Sequence, residues 1–162
     1  MKRLASASTV IVFGSALALS PAARAEMPAY VKQACKFPAG YKIGAKTPPQ
    51  YRDYVGIYTG NYVSRGIKGV HHTWIVTDIS TDGKSVGYYV VDNFSPWRIS
   101  RACTPITGRF RGGAILFGGG SGRRYEYKLT ATGGSGTRWA SANVSTVALT
   151  KQPTPPEWMS GK

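Results

Sequence analysis

Acidic residues are scarce in this chain: seven Asp and Glu stand against twenty-one Lys and Arg among 162 residues. A shortage on that scale leaves few candidates for paired-carboxylate catalysis. Asp78, Asp92 and Glu126 are the ones carried on β-rich runs, and nothing in their spacing brings two of them together. Cysteine is scarcer still, with Cys35 and Cys103 alone, too few and too far apart for a thiolate metal cage. Helical periodicity is almost missing. Ala29 to Phe37 has room for two turns at most, so no strand-to-helix nucleophile elbow is available to the many serines. Gly118 to Gly122 is likewise no phosphate loop, lacking both the Lys and the helix that would follow it. Long apolar runs are confined to the first residues, MKRLASASTVIVFGSALALSPAARA, where Lys2 and Arg3 precede an apolar centre and Ala23-Arg24-Ala25 precedes Glu26. This is the pattern of a secretory signal peptide over residues 1–25, with no cysteine at the cut to anchor a lipid. The expected mature chain is exported, periplasmic or extracellular, and has no transmembrane segment.

What remains is strongly basic. Loss of Lys2, Arg3 and Arg24 with the leader lowers the formal net charge from +14 to +11. A field of that sign concentrates anions: acidic glycans, lipid headgroups, carboxylate- or phosphate-bearing metabolites. In an oxidising compartment the two cysteines are expected to pair, tying the segment around Cys35 to the middle of the chain at Cys103.

From Tyr54 onward the chain alternates β-rich runs with turn signals. The first run puts Tyr54, Gly56, Tyr58, Gly60 and Tyr62 on one face and Val55, Ile57 and Val63 on the other. Both faces are apolar, which fits a strand covered on both sides. The following strands are expected over residues 71–80, 84–92, 106–110, 114–117, 123–131, 137–141 and 144–151. Asp82-Gly83 reads as a two-residue hairpin with positive φ at both positions. Gly112-Gly113 reads as a second hairpin, and Gly118 to Gly122 and Gly133 to Gly136 as turns. Residues 94–104 form an irregular crossing that includes Cys103. Eight short strands in sequential hairpins define an all-β antiparallel up-and-down meander, a barrel or a sandwich, over residues 54–151. An N-terminal arm (26–53), stiffened by Pro48-Pro49 into an extended lead-in, precedes it. A proline-rich tail (152–162) follows.

Gly56-Ile57-Tyr58 resembles the Gly-x-Trp opening of the calycins, the lipocalin and avidin-like barrels, with Tyr in place of Trp. Lys151, after the last strand, is similar to the basic residue that packs over that aromatic in the family. The resemblance implies a closed barrel that holds a small molecule at its open end. The competing outcome is a barrel filled by its own side chains, because eight strands enclose an interior only just wide enough for either.

Two side-chain sets are candidates for binding. Tyr58, Tyr62, Trp74, Tyr88 and Tyr125 lie on expected strands and could stack a sugar or planar ring, against the alternative of core packing. Six of the nine arginines after residue 25 lie where no acid intervenes, from Asn93 to Tyr125. Of these, Arg98, Arg101, Arg109 and Arg111 would hold anionic groups if hairpin and loop fold together, against the alternative of a solvated surface. His71-His72 cannot both ligate one ion, since neighbours on a strand face opposite ways. No metal, catalytic residue or cofactor is expected, and nucleic acid is not an expected partner of an exported chain. The expected function is non-enzymatic binding of a small-molecule or anionic polymer ligand. The alternative is an envelope-associated interaction or inhibitor module docking an acidic protein or a membrane surface.

Overall fold

The structure, a computed structural model, describes residues 29–37, 40–64, 67–120, 123–140 and 143–154. Eight antiparallel strands run in chain order around a closed barrel: β1 Gly56–Ser64, β2 Ile67–Ile79, β3 Lys84–Val91, β4 Ala102–Arg111, β5 Ala114–Gly120, β6 Arg123–Leu129, β7 Gly133–Ala140 and β8 Asn143–Gln152. β8 pairs back onto β1, with Tyr58 opposite Lys151 and Val63 opposite Thr146. The ladder is thinnest between β4 and β5, which pair only through Arg109, Phe110 and Arg111, so residues 102–108 of β4 are laddered on the β3 side alone.

Alternation sorts the side chains. Tyr58 and Tyr62 of β1, Trp74 and Val76 of β2, Ile115 and Phe117 of β5, Tyr127 and Leu129 of β6, and Val147 and Leu149 of β8 form the buried interior. A bulge between Val76 and Asp78 adds a residue to β2 and returns Ile79 to the same interior.

The other face of the first strands is buried too. The helix α1 (Ala29–Ala34) and the chain after it lie over the outside of β1–β4, packing Tyr30, Val31, Cys35 and Ile43 onto Ile57, Ile75 and Val90. The Cys35–Cys103 disulfide fastens this arm to β4. β1 therefore carries apolar residues on both sides because both are covered. β6, outside the arm, exposes Glu126 and Lys128 between buried Tyr127 and Leu129.

One end of the barrel is shut. A 3-10 turn, Pro49–Tyr54, sets Tyr51 and Tyr54 each 4.8 Å from the Phe110 ring. The Tyr58 hydroxyl lies 2.8 Å from the Tyr54 carbonyl and 2.9 Å from that of Thr130, sharing its one hydrogen between them. The Lys151 ammonium sits 5.7 Å over the Tyr58 ring and donates to the Asp53 carbonyl. Pro48 is extended as expected, but Pro49 starts the 3-10 turn, for which its fixed φ is suited, and β1 begins only at Gly56.

Four local expectations are corrected, the first being the turn from Gly118, because Gly118 to Gly120 are strand, ending β5 and pairing with β6. Asp82-Gly83 is not a turn with two positive φ values: Gly83 alone has one, at +79°, and its N–H closes a turn onto the Ser80 carbonyl at 2.9 Å. The Asp82 carboxylate instead accepts from the Ser80 hydroxyl and the Lys84 N–H, which holds the residue in an ordinary conformation. The pair with two positive φ values is Gly112-Gly113, between Arg111 and Ala114, which pair directly. Cys103 and Thr104 belong to β4 and not to a crossing.

Gly133 to Gly136, finally, is strand and not turn. A Cβ on Gly136 would stand 2.3 Å from Cδ1 of Tyr127, its cross-strand partner, so the missing side chain is the space the Tyr127 ring occupies. Gly136→Ala is expected to cost about 1–3 kcal/mol by overpacking, read as a lowered urea midpoint with an unchanged slope.

Candidate aromatic site at the end opposite the 3-10 turn

The end opposite the 3-10 turn is ringed by the strand termini Ser64, Val91, Ala102 and Ala140. Just inside it, the chain's two adjacent histidines part company. His71 faces outward, its Nδ1 3.0 Å from Asn61 Oδ1 and its ring edge-on to Tyr30 of the arm at 5.2 Å. His72 faces inward and is wholly inaccessible to solvent. Its ring centroid lies 4.3 Å from that of Tyr62, 5.7 Å from Tyr89 and 6.2 Å from Tyr127. One layer deeper, Trp74 packs on Tyr127 at 4.1 Å, Phe117 at 4.9 Å and Tyr89 at 5.0 Å.

This cage of rings holds polar atoms without protein partners. Neither nitrogen of His72 nor Nε1 of Trp74 has a hydrogen-bond partner among the described residues. Leaving a buried donor or acceptor unmade costs about 1–3 kcal/mol each. Burial first, and the neighbouring His71 second, push the His72 pKa down to about 3, so the imidazole is neutral at pH 7 with one donor and one acceptor nitrogen. The Tyr89 phenol is pushed up to about 12 by burial, and that of Tyr127 is raised for the same reason.

The cation that faces these phenols is Arg138. It lies on β7 opposite Tyr125 and Ser145, on the same face as Gly134 and Gly136, and its charge favours the ionised forms of both Tyr89 and Tyr127. It is exposed and makes no ion pair among the described residues.

The expected binding residues distribute as follows. Tyr62 and Trp74 join the cage, each only 2% exposed. Tyr58 is on the barrel floor, its hydroxyl spent on backbone carbonyls. Tyr88 faces outward beneath the arm, edge-on to Phe37 at 5.3 Å. Tyr125 is on β6 opposite Arg138, and its side chain lies outside those described. Arg101 is engaged at the root of the arm, 2.9 Å from Asp92 and donating to Gln33. Arg98 is exposed, in a left-handed conformation at φ 51°. Arg109 and Arg111 are exposed on the outside of β4 near the shut end. The four arginines do not meet: eight residues of extended chain between Arg101 and Arg109 span about 25 Å. The sequence reading missed His72 as a cage member and Arg138 altogether. The signal for Arg138 was parity with Tyr127 through Gly136, hidden once that glycine run is taken as a turn.

The fold defines the class as a small, closed, eight-stranded antiparallel barrel with one shut end. No protein-family model matches the chain, and no curated protein or solved structure matches it. Among the described residues no helix is long and apolar enough to cross a membrane.

Proposed function

We propose that this is an exported, non-enzymatic binding protein whose calycin-like barrel takes a small ligand at its open end. The observation that carries this reading is the buried His72 and Trp74, whose three ring nitrogens have no hydrogen-bond partner among the described residues and lie within a cluster of aromatic rings. A core built only for stability would fill those positions with apolar side chains, since unpaired buried polar groups oppose folding. A ligand that supplies partners would recover the loss, and the rings offer it stacking faces. The Lys151 cation over the Tyr58 ring beside Gly56, with the meander order of the strands, supports the calycin-like comparison. The disulfide supports export.

Titration of the protein with small aromatic ligands, followed by tryptophan fluorescence, tests the reading. Saturable quenching or a spectral shift that is lost in Trp74→Phe is the expected result. A response absent for every ligand tried, or one that survives Trp74→Phe and His72→Phe with its affinity intact, would overturn it.

A second reading, an interaction or inhibitor module docking an acidic envelope partner, is favoured by one feature of the outer surface. Exposed Lys84 stands directly opposite exposed Arg109, with Arg111 and Lys128 on the same outer face. Like charges directly opposed weaken a sheet, so this pair does not serve the stability of the fold. That reading requires salt-sensitive retention on an acidic partner, abolished by Lys84→Glu with Arg109→Glu and untouched by changes in the cage.

A further inference from the structure

We propose that the outer face of β7, β8 and β1, at the end of the barrel away from Pro49–Tyr54, docks on the surface of an anionic phospholipid bilayer, Trp139 entering the headgroup layer and Lys68 and Arg124 meeting phosphates on either side. This surface is separate from the aromatic cluster inside the barrel and does not rest on it.

Exposure and register define the apolar part. Among the described residues four large apolar side chains are exposed, and three of them stand together: Val63 at 41%, Trp139 at 38% and Val144 at 53%. Trp139 and Val144 are direct partners across β7 and β8. Val63 pairs with Thr146, two residues along β8 from Val144, which sets the two valines on a diagonal of about 7–8 Å. Alternation turns all three outward, since Tyr62, Gly136 and Val147, each an odd number of residues away, face the interior. The arm covers Ile57 at the other end of β1 and leaves Val63 bare. A tryptophan and two valines gathered on an exposed wall add nothing to the core, and such patches mark docking surfaces.

Charge surrounds this patch on the flanks. The outward positions of β7, β8 and β1 are apolar, hydroxyl, amide or glycine residues and carry no charge. Cations hold the register positions beyond them: Lys68 of β2 stands opposite Val63, and Arg124 of β6 stands opposite Trp139. The short turn Ser95–Trp97, followed by Arg98, brings a second tryptophan and another cation to the same end. Acids are mostly elsewhere. Of those described, Asp53, Asp78 and Asp82 stand toward the shut end, and Asp92 is ion-paired with Arg101 at 2.9 Å. Glu126 falls between Arg124 and Lys128 on one face of β6.

Charge alone would serve any polyanion, but apolar side chains on a convex barrel wall need a medium that yields around them. A bilayer surface does: headgroups part for a tryptophan, whose ring settles at the polar boundary with its N–H still hydrogen-bonded. Surface binding of this kind grows with the apolar area inserted and with the attraction of cations to anionic lipid. Each Lys or Arg held near such a surface strengthens binding about fivefold.

Flotation of the full mature protein with vesicles provides the test, phosphatidylcholine alone being set against phosphatidylcholine mixed with phosphatidylglycerol. The mixed vesicles are expected to bind at least about tenfold more tightly, and added salt should release the protein. Trp139→Ser should lower that affinity at least about tenfold and diminish the blue shift of tryptophan emission on binding. Lys68→Gln with Arg124→Gln should lower it about 25-fold, about fivefold for each charge. Lys46→Gln with Arg52→Gln, the same charge change near Asp78 and in the turn of the shut end, should leave it within about twofold. Urea midpoints verify the fold of each variant, and Val144→Ser, with a loss in the same direction, stands in for Trp139→Ser if that variant does not fold. Parental affinity in Trp139→Ser, or equal binding to the two kinds of vesicle, overturns the assignment. An equal loss in the shut-end variant means that net charge acts without a site, and overturns it as well. So does a failure to bind either vesicle. Self-association without vesicles that Trp139→Ser abolishes would give the face to a second copy of the chain in place of lipid.

Discussion

Lowering the pH from 6.5 to 5 should strip about 2 kcal/mol from the folding free energy, most of it through one side chain, His72. Its pKa is about 3 in the folded barrel and about 6.5 in an unfolded chain, because burial, aided by the charge on His71, opposes protonation. Between those two values the unfolded chain binds a proton that the folded chain refuses. Stability therefore falls as the pH falls, by about 1.4 kcal/mol per unit for one proton, and the loss levels off below pH 3 where both states are protonated. The sign is that of a group with a depressed folded pKa: its contribution is whole above pH 6.5 and gone by pH 3. The interval from 6.5 to 5 is the clean one to measure, since carboxylates such as Asp82, held low by its bonds to Ser80 and Lys84, titrate further down.

Urea midpoints across that interval give the slope directly. In His72→Phe the slope should flatten, and the variant should be more stable than the parent at pH 7, by about 1–3 kcal/mol, since two unpaired nitrogens leave the core. The same change should weaken ligand binding. A gain in stability coupled to a loss of binding is what separates a site from a structural core residue. If His72→Phe instead destabilises the protein and keeps the parental slope, His72 is an ordinary packing element and the cage loses its main support.

The meander was legible because its information is local. Period-2 alternation and turn residues mark each strand, and sequential hairpins admit few topologies once eight of them follow in order. The two-sided apolar character of Tyr54 to Val63 was legible as well, and the arm over Ile57, Ile75 and Val90 is its cause. What the sequence hid is what depends on partners far along the chain. Gly134 and Gly136 look like a turn until Leu129 and Tyr127 are known to lie across them. Arg138, two residues on, inherits its inward direction from that pairing. The arginines from Arg98 to Arg111 look like one cluster in the sequence, but an extended strand spreads them over its whole length. His71 and His72 could be assigned to opposite faces from parity alone. Which of them faced inward required the register of β2 against β1 and β3.

Breaking the disulfide should have the other large effect on stability. Cys35 and Cys103 close a loop with a sequence separation of 68, for which loop entropy assigns about 4 kcal/mol of destabilisation to the unfolded chain. The measured loss in Cys35→Ser with Cys103→Ser should be somewhat smaller, about 2–4 kcal/mol, equivalent to a fall in Tm of roughly 10 °C. The reason lies in what else holds the arm. Tyr30 is hydrogen-bonded to Thr73, Arg101 reaches Gln33, the Gly44 N–H donates to the Thr77 carbonyl at 2.7 Å, and the Lys46 N–H donates to Asp78 at 2.9 Å. Those contacts keep the arm docked without a covalent tie, so the barrel should fold in the variant and keep its near-ultraviolet signal. Proteolysis separates the two layers of the effect. Cleavage within residues 29–47 should accelerate many-fold in the variant, because local release of α1 no longer has to break a covalent bond, while cleavage within the barrel should follow the global loss only. A variant that unfolds outright would mean that the outer apolar face of β1–β4 cannot stand without its cover; one with the parental midpoint would mean that the arm's own packing, and not the bond, secures it.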